Sequence, residues 1–171
     1  MKYTTTDLRR QDRAMEEAAA RRLLAEGEVA VLAMQQLGGG AYAVPLDYVW
    51  DGESSVYLHC APEGHKLDCL AACAQVCLVI TGAVERLPQL FSTAYESLVI
   101  QGEVAVVESA EEKLRALHLL LQKYTPGHLQ RGQAYAARAA EQTLVLRLAI
   151  SSWSGKTHQR STKAESRRSE S

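Results

Sequence analysis

Residues 42–60, YAVPLDYVWDGESSVYLHC, form the stretch that decides the fold. From Tyr42 to Trp50, large apolar or aromatic side chains alternate with smaller or polar ones, which is the period of a strand with one buried face. Asp51-Gly52 is a turn signal, and residues 55–60 are again rich in strand-forming types. The stretch therefore predicts a β-hairpin, and Pro45 marks an edge or a bulge because proline cannot donate to a strand ladder.

Further strands and helices are predicted on both sides of this hairpin. Strand-like patterns occupy residues 28–34, 75–81, 93–107 and 144–150, and helical patterns occupy residues 7–25, 65–74, 109–124 and 133–140. The third helix begins with a capping box at Ser109, and its apolar spacing predicts a buried face of Leu114, Leu117 and Leu121. About six strands without regular β-α-β alternation indicate an α+β fold, a predominantly antiparallel six-stranded split β-barrel with peripheral helices.

The composition is typical of a globular domain. Of the 171 residues, 47% are hydrophobic and 23% are charged, and the formal net charge is −1. This balance offers no positive field for nucleic acid or a membrane surface, and no apolar run approaches the roughly 20 residues that span a bilayer. The first residues lack the apolar core of a signal peptide, so we expect a cytoplasmic protein. We expect one domain over residues 1–158, followed by a polar, disordered tail over residues 159–171.

Four cysteines, Cys60, Cys69, Cys73 and Cys77, raise the question of a metal site. Cys69 and Cys73 are one helical turn apart, but the sequence contains no Cys-x-x-Cys pair. Free cysteine is among the residue types most often buried. We therefore favour small buried thiols and no metal over a metal centre.

The most informative segment for chemistry is residues 59–68, HCAPEGHKLD. It ends a strand, passes through a Pro/Gly loop and begins a helix, whose free N–H groups and positive dipole end favour an anion. Lys66 lies in the first turn, where an acidic residue is the usual choice, so it predicts a cation that holds an anionic ligand. A solvated surface lysine is the alternative. His59 is the best candidate for a titrating group, and a histidine bonded to a neighbouring carbonyl is its structural alternative.

Several motifs in order resemble one family. They are residues 43–49 (AVPLDYV), residues 56–68 (VYLHCAPEGHKLD) and residues 123–127 (KYTPG), supported by residues 97–102 and 153–156 (WSGK). Their order and spacing resemble the nitroimidazole resistance proteins, which belong to the pyridoxamine 5′-phosphate oxidase-like superfamily of FMN-binding split barrels. The resemblance covers residues 10–156.

The resemblance implies a homodimer with FMN at the subunit interface. It implies that the loop of Ala61, Gly64, His65 and Lys66 holds the FMN phosphate. The backbone of Val44, Pro45 and Leu46 would lie along the isoalloxazine ring. Further contacts are implied from either chain, namely Ser97, Trp153 and Lys156.

The resemblance also implies an FMN-dependent oxidoreductase that reduces nitroimidazole-type nitro groups to amines. Electrons would come from NADH, NADPH or another donor and pass to a small acceptor, with His59 as a proton donor. The alternatives are a pyridoxamine phosphate oxidase-like enzyme and a non-catalytic flavin- or haem-binding protein. Asp47 departs from the family pattern, in which a neutral residue is common, and it is expected either to face solvent or to pair with an arginine.

Overall fold

The predicted hairpin is present, and its two strands pair over only part of their length. In the computed structural model, which describes residues 1–139 and 142–159, β3 (Ala41–Trp50) runs antiparallel to β4 (Ser55–Cys60). Their register joins Tyr48–Trp50 to Val56–Leu58, and the first half of β3 pairs only with the strand before it. Pro45 lies in this half, opposite Val31. The expectation of an edge position for Pro45 is therefore confirmed.

The remaining elements surround this hairpin. The other strands are β1 (Lys2–Tyr3), β2 (Val29–Gln35), β5 (Gln75–Leu87), β6 (Ser92–Val106) and β7 (Leu144–His158). The helices of the described chain are α1 (Glu17–Glu26), α2 (His65–Ala72), α3 (Ala110–Tyr124) and α4 (Leu129–Ala139). Short 3-10 turns occupy Gln11–Arg13, Pro88–Leu90 and Pro126–His128.

Six strands form a ring. They are ordered β4-β3-β2-β5-β6-β7, and β7 also pairs with β4, so the sheet closes on itself. All of these pairings are antiparallel, whereas the short β1 adds to β7 in parallel. The α+β split-barrel prediction is confirmed, although β1 was not anticipated. The bend expected at Gly102 is also present, since the β6–β7 register shifts there and a Cβ would collide with the Ala149 carbonyl.

Two apolar clusters hold the structure together. The larger fills the barrel, and the strands supply its fully buried side chains, among them Leu32, Tyr48, Leu58, Ile80, Ile100, Leu146 and Trp153. The smaller lies on the outer face of β3, β4 and β7 beneath α3, and its buried members are Val49, Tyr57, Val107, Ala116, Leu120 and Val145. The second cluster therefore fixes α3 against the outside of the hairpin.

The buried face of α3 differs from the prediction. Leu114 is 47% exposed, and Ala116 and Leu120 are the buried residues. The reason is the polar contact at position 112, where Glu112 accepts a 2.8 Å hydrogen bond from the Tyr57 hydroxyl. Because residues four apart share a helix face, this contact turns positions 112, 116 and 120 towards the sheet. Ser109 caps the helix as expected.

The N-terminal segment also departs from expectation. A helix was predicted over residues 7–25, but α1 starts only at Glu17, while its end near Gly27 is as predicted. Met15 is buried, and its N–H donates to the carbonyl of Gly155 on β7. This contact holds the preceding residues along the barrel wall, so helical propensity is overridden there by packing.

Only one of the thiols is fully buried. Cys69 is inaccessible, whereas Cys60, Cys73 and Cys77 are half-buried, so the burial prediction is confirmed for one cysteine and wrong for three. In the part of the chain that the structure describes, no group of three or more His, Cys, Asp or Glu side chains could hold a metal ion. No helix there is both long and apolar enough to cross a membrane. The predicted tail, apart from the exposed Gln159, lies outside the described residues.

Candidate functional site

The loop before α2 has the geometry expected of an anion site. Gly64 adopts φ +123°, a conformation that favours glycine, and a Cβ there would meet only open space. The first helical bond runs from the Leu67 N–H to the Gly64 carbonyl at 2.8 Å. The N–H groups of His65 and Lys66 precede that bond at the positive end of the helix dipole. The loop residues 61–64 are exposed, so this end of the helix is open to a ligand.

The Lys66 side chain is half-buried beside the end of β4. Its amine lies against the Cys60 thiol, where burial raises the pKa of the thiol and the amine offsets part of that rise. Cys60 points away from His59, because successive strand residues face opposite sides. The Lys66 amine is therefore held at the rim of the barrel, on the side of the sheet opposite His59.

His65 fastens the loop to β3. Its ring lies edge-on to Tyr42 with centroids 4.7 Å apart, and its Nε2 is 3.7 Å from the Cys69 sulfur. Its Nδ1 is 4.0 Å from the Asp68 carboxylate. The imidazole thus contacts β3 and its own helix while about half of its surface is exposed, and its backbone N–H also lies at the open helix start.

We call residues 41–47, which pair with β2 but not with β4, the unpaired half of β3, and its Tyr42 lies against the loop. Val44 and Leu46 are half-buried and pack against the barrel core, whereas Pro45 is exposed on the outer face. On that face a row of side chains continues across the neighbouring strands, through Val31, Val79 and Val99. Val31 and Val99 are 39% and 40% exposed, so the row is an apolar surface open to solvent.

Ser97 and Lys156 lie together, away from the loop. They are cross-strand partners on β6 and β7, and both are half-buried. β2 and β5 separate β6 from β3 in the ring. Trp153 is only 1% exposed and packs edge-on against Tyr3 inside the barrel, so it is not accessible to a ligand in the single chain.

His59 faces a cleft rather than the loop. It is exposed on the outer face of β4 and lines this cleft together with Asp47 of β3 and residues of α3 and α4. The sequence places His59 five residues from Gly64, but the pleat of β4 turns its side chain to the other face of the sheet. The structure therefore separates the predicted proton donor from the predicted phosphate loop by the thickness of the hairpin.

Comparison with known proteins identifies the family. The family model described as pyridoxamine 5′-phosphate oxidase matches residues 16–157. The chain belongs to this family. Among curated proteins, none matches.

Several solved structures share the fold of this oxidase-family chain. A candidate 5-nitroimidazole antibiotic resistance protein from Bacteroides thetaiotaomicron is 24% identical, with a TM-score of 0.72 over 83% of this chain and 84% of that one. An FAD and heme binding protein from Mycobacterium smegmatis is 22% identical, with a TM-score of 0.73 over 88% and 75%. A flavocytochrome from Azotobacter vinelandii is 18% identical, with a TM-score of 0.73 over 89% and 72%. At these identities the likeness establishes the fold alone.

Lys123 and Tyr124, which belong to the motif at residues 123–127, form a polar anchor under the cleft that the sequence does not predict. The Tyr124 hydroxyl accepts from the Tyr48 N–H at 3.0 Å and lies 2.6 Å from the Glu28 carbonyl. The Lys123 amine donates to the Tyr48 carbonyl at 3.0 Å and lies 3.6 Å from the centroid of the Tyr48 ring. These bonds tie the end of α3 to the hairpin. Contacts between residues about 75 positions apart leave no periodic signal in a sequence.

Burial of Lys123 makes stability depend on pH. Burial lowers the pKa of its amine from 10.5 to about 8, although the charges of Asp47 and Glu28 oppose the shift. Between those values the unfolded chain binds more protons than the folded chain, so the free energy of unfolding rises with pH. We expect the free energy of unfolding to rise by about 1 kcal/mol from about pH 7.5 to pH 9.5. This figure is already reduced for solvent screening, because the amine is partly exposed.

Chemical denaturation of the wild type and Lys123→Met at the two pH values measures this rise. The methionine variant should show little of it, while Lys113→Met, on the same helix, should retain it. An equal rise in Lys123→Met and the wild type would show that another group is responsible.

Proposed function

We propose that this chain binds FMN and uses it to reduce small oxidised organic molecules, with nitroimidazole-type nitro compounds as the leading acceptors. The observation that carries the proposal is the open, cationic start of α2 beside the unpaired half of β3. Membership of the pyridoxamine 5′-phosphate oxidase family supports it. Structural relatives described as a flavocytochrome and as an FAD and heme binding protein add support for a flavin on this fold.

The groups at the loop suit a phosphate. Two backbone N–H groups lie at the positive helix end, and the Lys66 amine, which lies against the Cys60 thiol, would turn from it towards the phosphate. Charge-assisted bonds of this kind are the stronger class of hydrogen bond. Asp68, an acidic residue of the same turn, is drawn towards His65. In this proposal Ala61, Gly64, His65 and Lys66 hold the FMN phosphate, as the resemblance implies.

The unpaired half of β3 suits the flavin ring. A strand edge carries backbone N–H and C=O groups without partners, which a polar heterocycle can use. Pro45 removes one N–H from this edge and presents a flat apolar surface instead. The backbone of Val44, Pro45 and Leu46 therefore forms the wall along which the ring lies in this proposal.

The proposal requires a homodimer. In one chain, β2 and β5 lie between the β3 edge and Ser97 on one side of the ring. On the other side, Lys156 lies twelve residues along β7 from Leu144, the partner of Cys60. Adjacent strands are about 4.8 Å apart, so these groups reach one flavin most simply from two copies. The exposed row of Pro45, Val31, Val79 and Val99 supplies an apolar face that a second copy would cover. Trp153 supports β7 from within the barrel and has no direct contact with the ligand in this arrangement.

The chemistry requires electrons and protons in equal number. Reduction of a nitro group to an amine takes six electrons and six protons and releases two waters, which corresponds to three molecules of NADH or NADPH. A bound flavin would carry these electrons from donor to acceptor. The chain's own contribution is binding, orientation and proton supply, and His59 is the group in the cleft that can hold and release a proton.

An absorbance spectrum of the purified full chain tests the function. With FMN added, we expect a flavin band that bleaches on addition of NADPH or NADH under nitrogen and returns when a nitroimidazole is added. The ratio of pyridine nucleotide consumed to amine formed should be three. His59→Gln should slow the return of colour while leaving the FMN dissociation constant unchanged.

Other outcomes would contradict the proposal. A protein that cannot be loaded with FMN would overturn it, and a Soret band after addition of haem to such a protein would favour the haem-binding alternative. Oxidation of pyridoxamine phosphate without nitro reduction would favour the oxidase alternative.

Removal of the Lys66 amine should weaken FMN binding. Lys66→Ala removes one charge-assisted contact, worth roughly 1.5–3 kcal/mol, which corresponds to about one to two decades in the dissociation constant. Fluorescence titration of FMN measures the change. Lys113→Ala, remote on α3, is the control and should bind as the wild type does. An unchanged FMN affinity in Lys66→Ala would show that the Lys66 amine does not contact the FMN phosphate.

The apolar row should be needed for assembly. Val99→Asp places a carboxylate at the β6 end of the row, at one of its two most exposed valines, so we expect a monomer with FMN affinity reduced at least tenfold, because two chains contribute to each site. Light scattering after size exclusion measures the mass. Leu114→Asp, at an equally exposed leucine on α3, should remain dimeric. A dimeric Val99→Asp protein would show that another surface is the interface.

A further inference from the structure

The cleft that contains His59 lies on the outside of the hairpin, beneath α3 and α4. It encloses about 250 Å³. Its walls are mainly apolar, and the side chains from the two helices are those of Leu117, Leu120, Leu121, Tyr124, Tyr135, Ala136 and Ala139. Drug-sized ligands usually occupy pockets of roughly 300–1,000 Å³, so a cleft of this size suits a single substituted ring.

Two ionisable side chains enter this cleft from the strands. Asp47 precedes Tyr48 on β3, and His59 follows its register partner Leu58 on β4, so both point to the same outer face. Asp47 is exposed, and within the described residues its carboxylate forms no ion pair and accepts no side-chain hydrogen bond. It therefore faces solvent and does not pair with an arginine. A carboxylate without a partner in an apolar cleft is available to a ligand.

Asp47 is the one carboxylate among the described side chains that line the cleft, and no lysine or arginine is among them. The Lys123 amine interacts electrostatically with both Asp47 and Glu28. It donates a hydrogen bond to the Tyr48 carbonyl and lies over the Tyr48 ring. The Lys123 amine therefore offsets part of the Asp47 charge, but it does not itself line the cleft. The resulting potential favours a ligand that brings a positive charge or N–H donors.

We propose that this cleft receives the acceptor and that Asp47 gives it a preference for a planar single ring bearing a cationic or N–H-donating group. The role as acceptor site rests on the proposed function, whereas the ligand preference rests on the cleft itself. On β3, Asp47 directly follows Leu46, so a ring along residues 44–46 would end where the cleft begins. His59 on the opposite wall would then stand within the same enclosure as the acceptor.

The preference can be measured with two probes of the same shape. Benzamidine is a cation at pH 7.5 and benzamide is neutral, and both are planar single rings. Calorimetric titration of the full chain, with FMN added, should give about three- to fivefold tighter binding of benzamidine, the upper part of the range for a partly exposed ion pair. Asp47→Asn should bring the two affinities within about twofold. Glu53→Gln, at an exposed carboxylate in the hairpin turn, is the matched control and should keep the full ratio.

A second variant tests the location. Ala136→Trp, on the α4 wall, would fill the cleft and should weaken both probes at least tenfold, and Ala136→Leu repeats the test if the larger residue prevents folding. Equal binding of the two probes to the wild type, or an unchanged ratio in Asp47→Asn, would overturn the preference. Full binding to a folded Ala136→Trp or Ala136→Leu protein would overturn the location.

The proposed ligand preference of the cleft and the proposed flavin function can be contradicted independently of each other. If FMN does not bind but the probes behave as expected, the ligand preference of the cleft is supported and the flavin function is lost. If FMN binds and is reduced but the probes do not distinguish the variants, the inference about Asp47 is overturned while the flavin function remains.

Discussion

The incomplete pairing of β3 with β4 is the constraint on which the rest of the structure depends. β3 and β4 pair only over Tyr48–Trp50, and Pro45, which has no N–H to donate, lies in the half of β3 that has no β4 partner. The gap leaves a strand edge, and an edge without a partner is a liability that a protein must cover. The loop and α2 lie beside it, and the contact between His65 and Tyr42 holds them there. The cationic helix start and the free backbone are thus neighbours for one structural reason.

The two faces of the hairpin serve different purposes. On the side of Cys60 the chain presents Lys66 at the barrel rim, and on the side of His59 it presents a small apolar cleft. The cleft exists because α3 is attached at both ends, by Glu112 to Tyr57 and by Tyr124 to the backbone of Tyr48. Such attachment at two points fixes the distance between helix and sheet and so keeps the cleft open to one ring.

Local features of the molecule could be predicted from the sequence, and long-range ones could not. Alternating side chains and a turn signal predict the hairpin, the missing N–H of Pro45 predicts an edge, and the glycine at position 102 predicts a bend. Each of these features depends on a few neighbouring residues. The phase of α3 was missed, since the contact of Glu112 with Tyr57 joins residues 55 positions apart. The site divides in the same way. The loop of residues 61–66, for which we propose a phosphate-binding role, is continuous in sequence and could be singled out there, whereas the cleft of His59 needs α3 and α4 packed against the hairpin.

The length of β7 has a consequence for how the molecule is made. This strand pairs with β4 and with β6, and its partners on β4 lie about 90 residues earlier in the chain. Closing so large a loop is costly in chain entropy, and contacts of this range form late in folding. During synthesis the barrel would therefore remain an open, curled sheet until the final strand leaves the ribosome. Until β7 is in place, the edges of β4 and β6 lack their partner and the apolar barrel interior is open to aggregation.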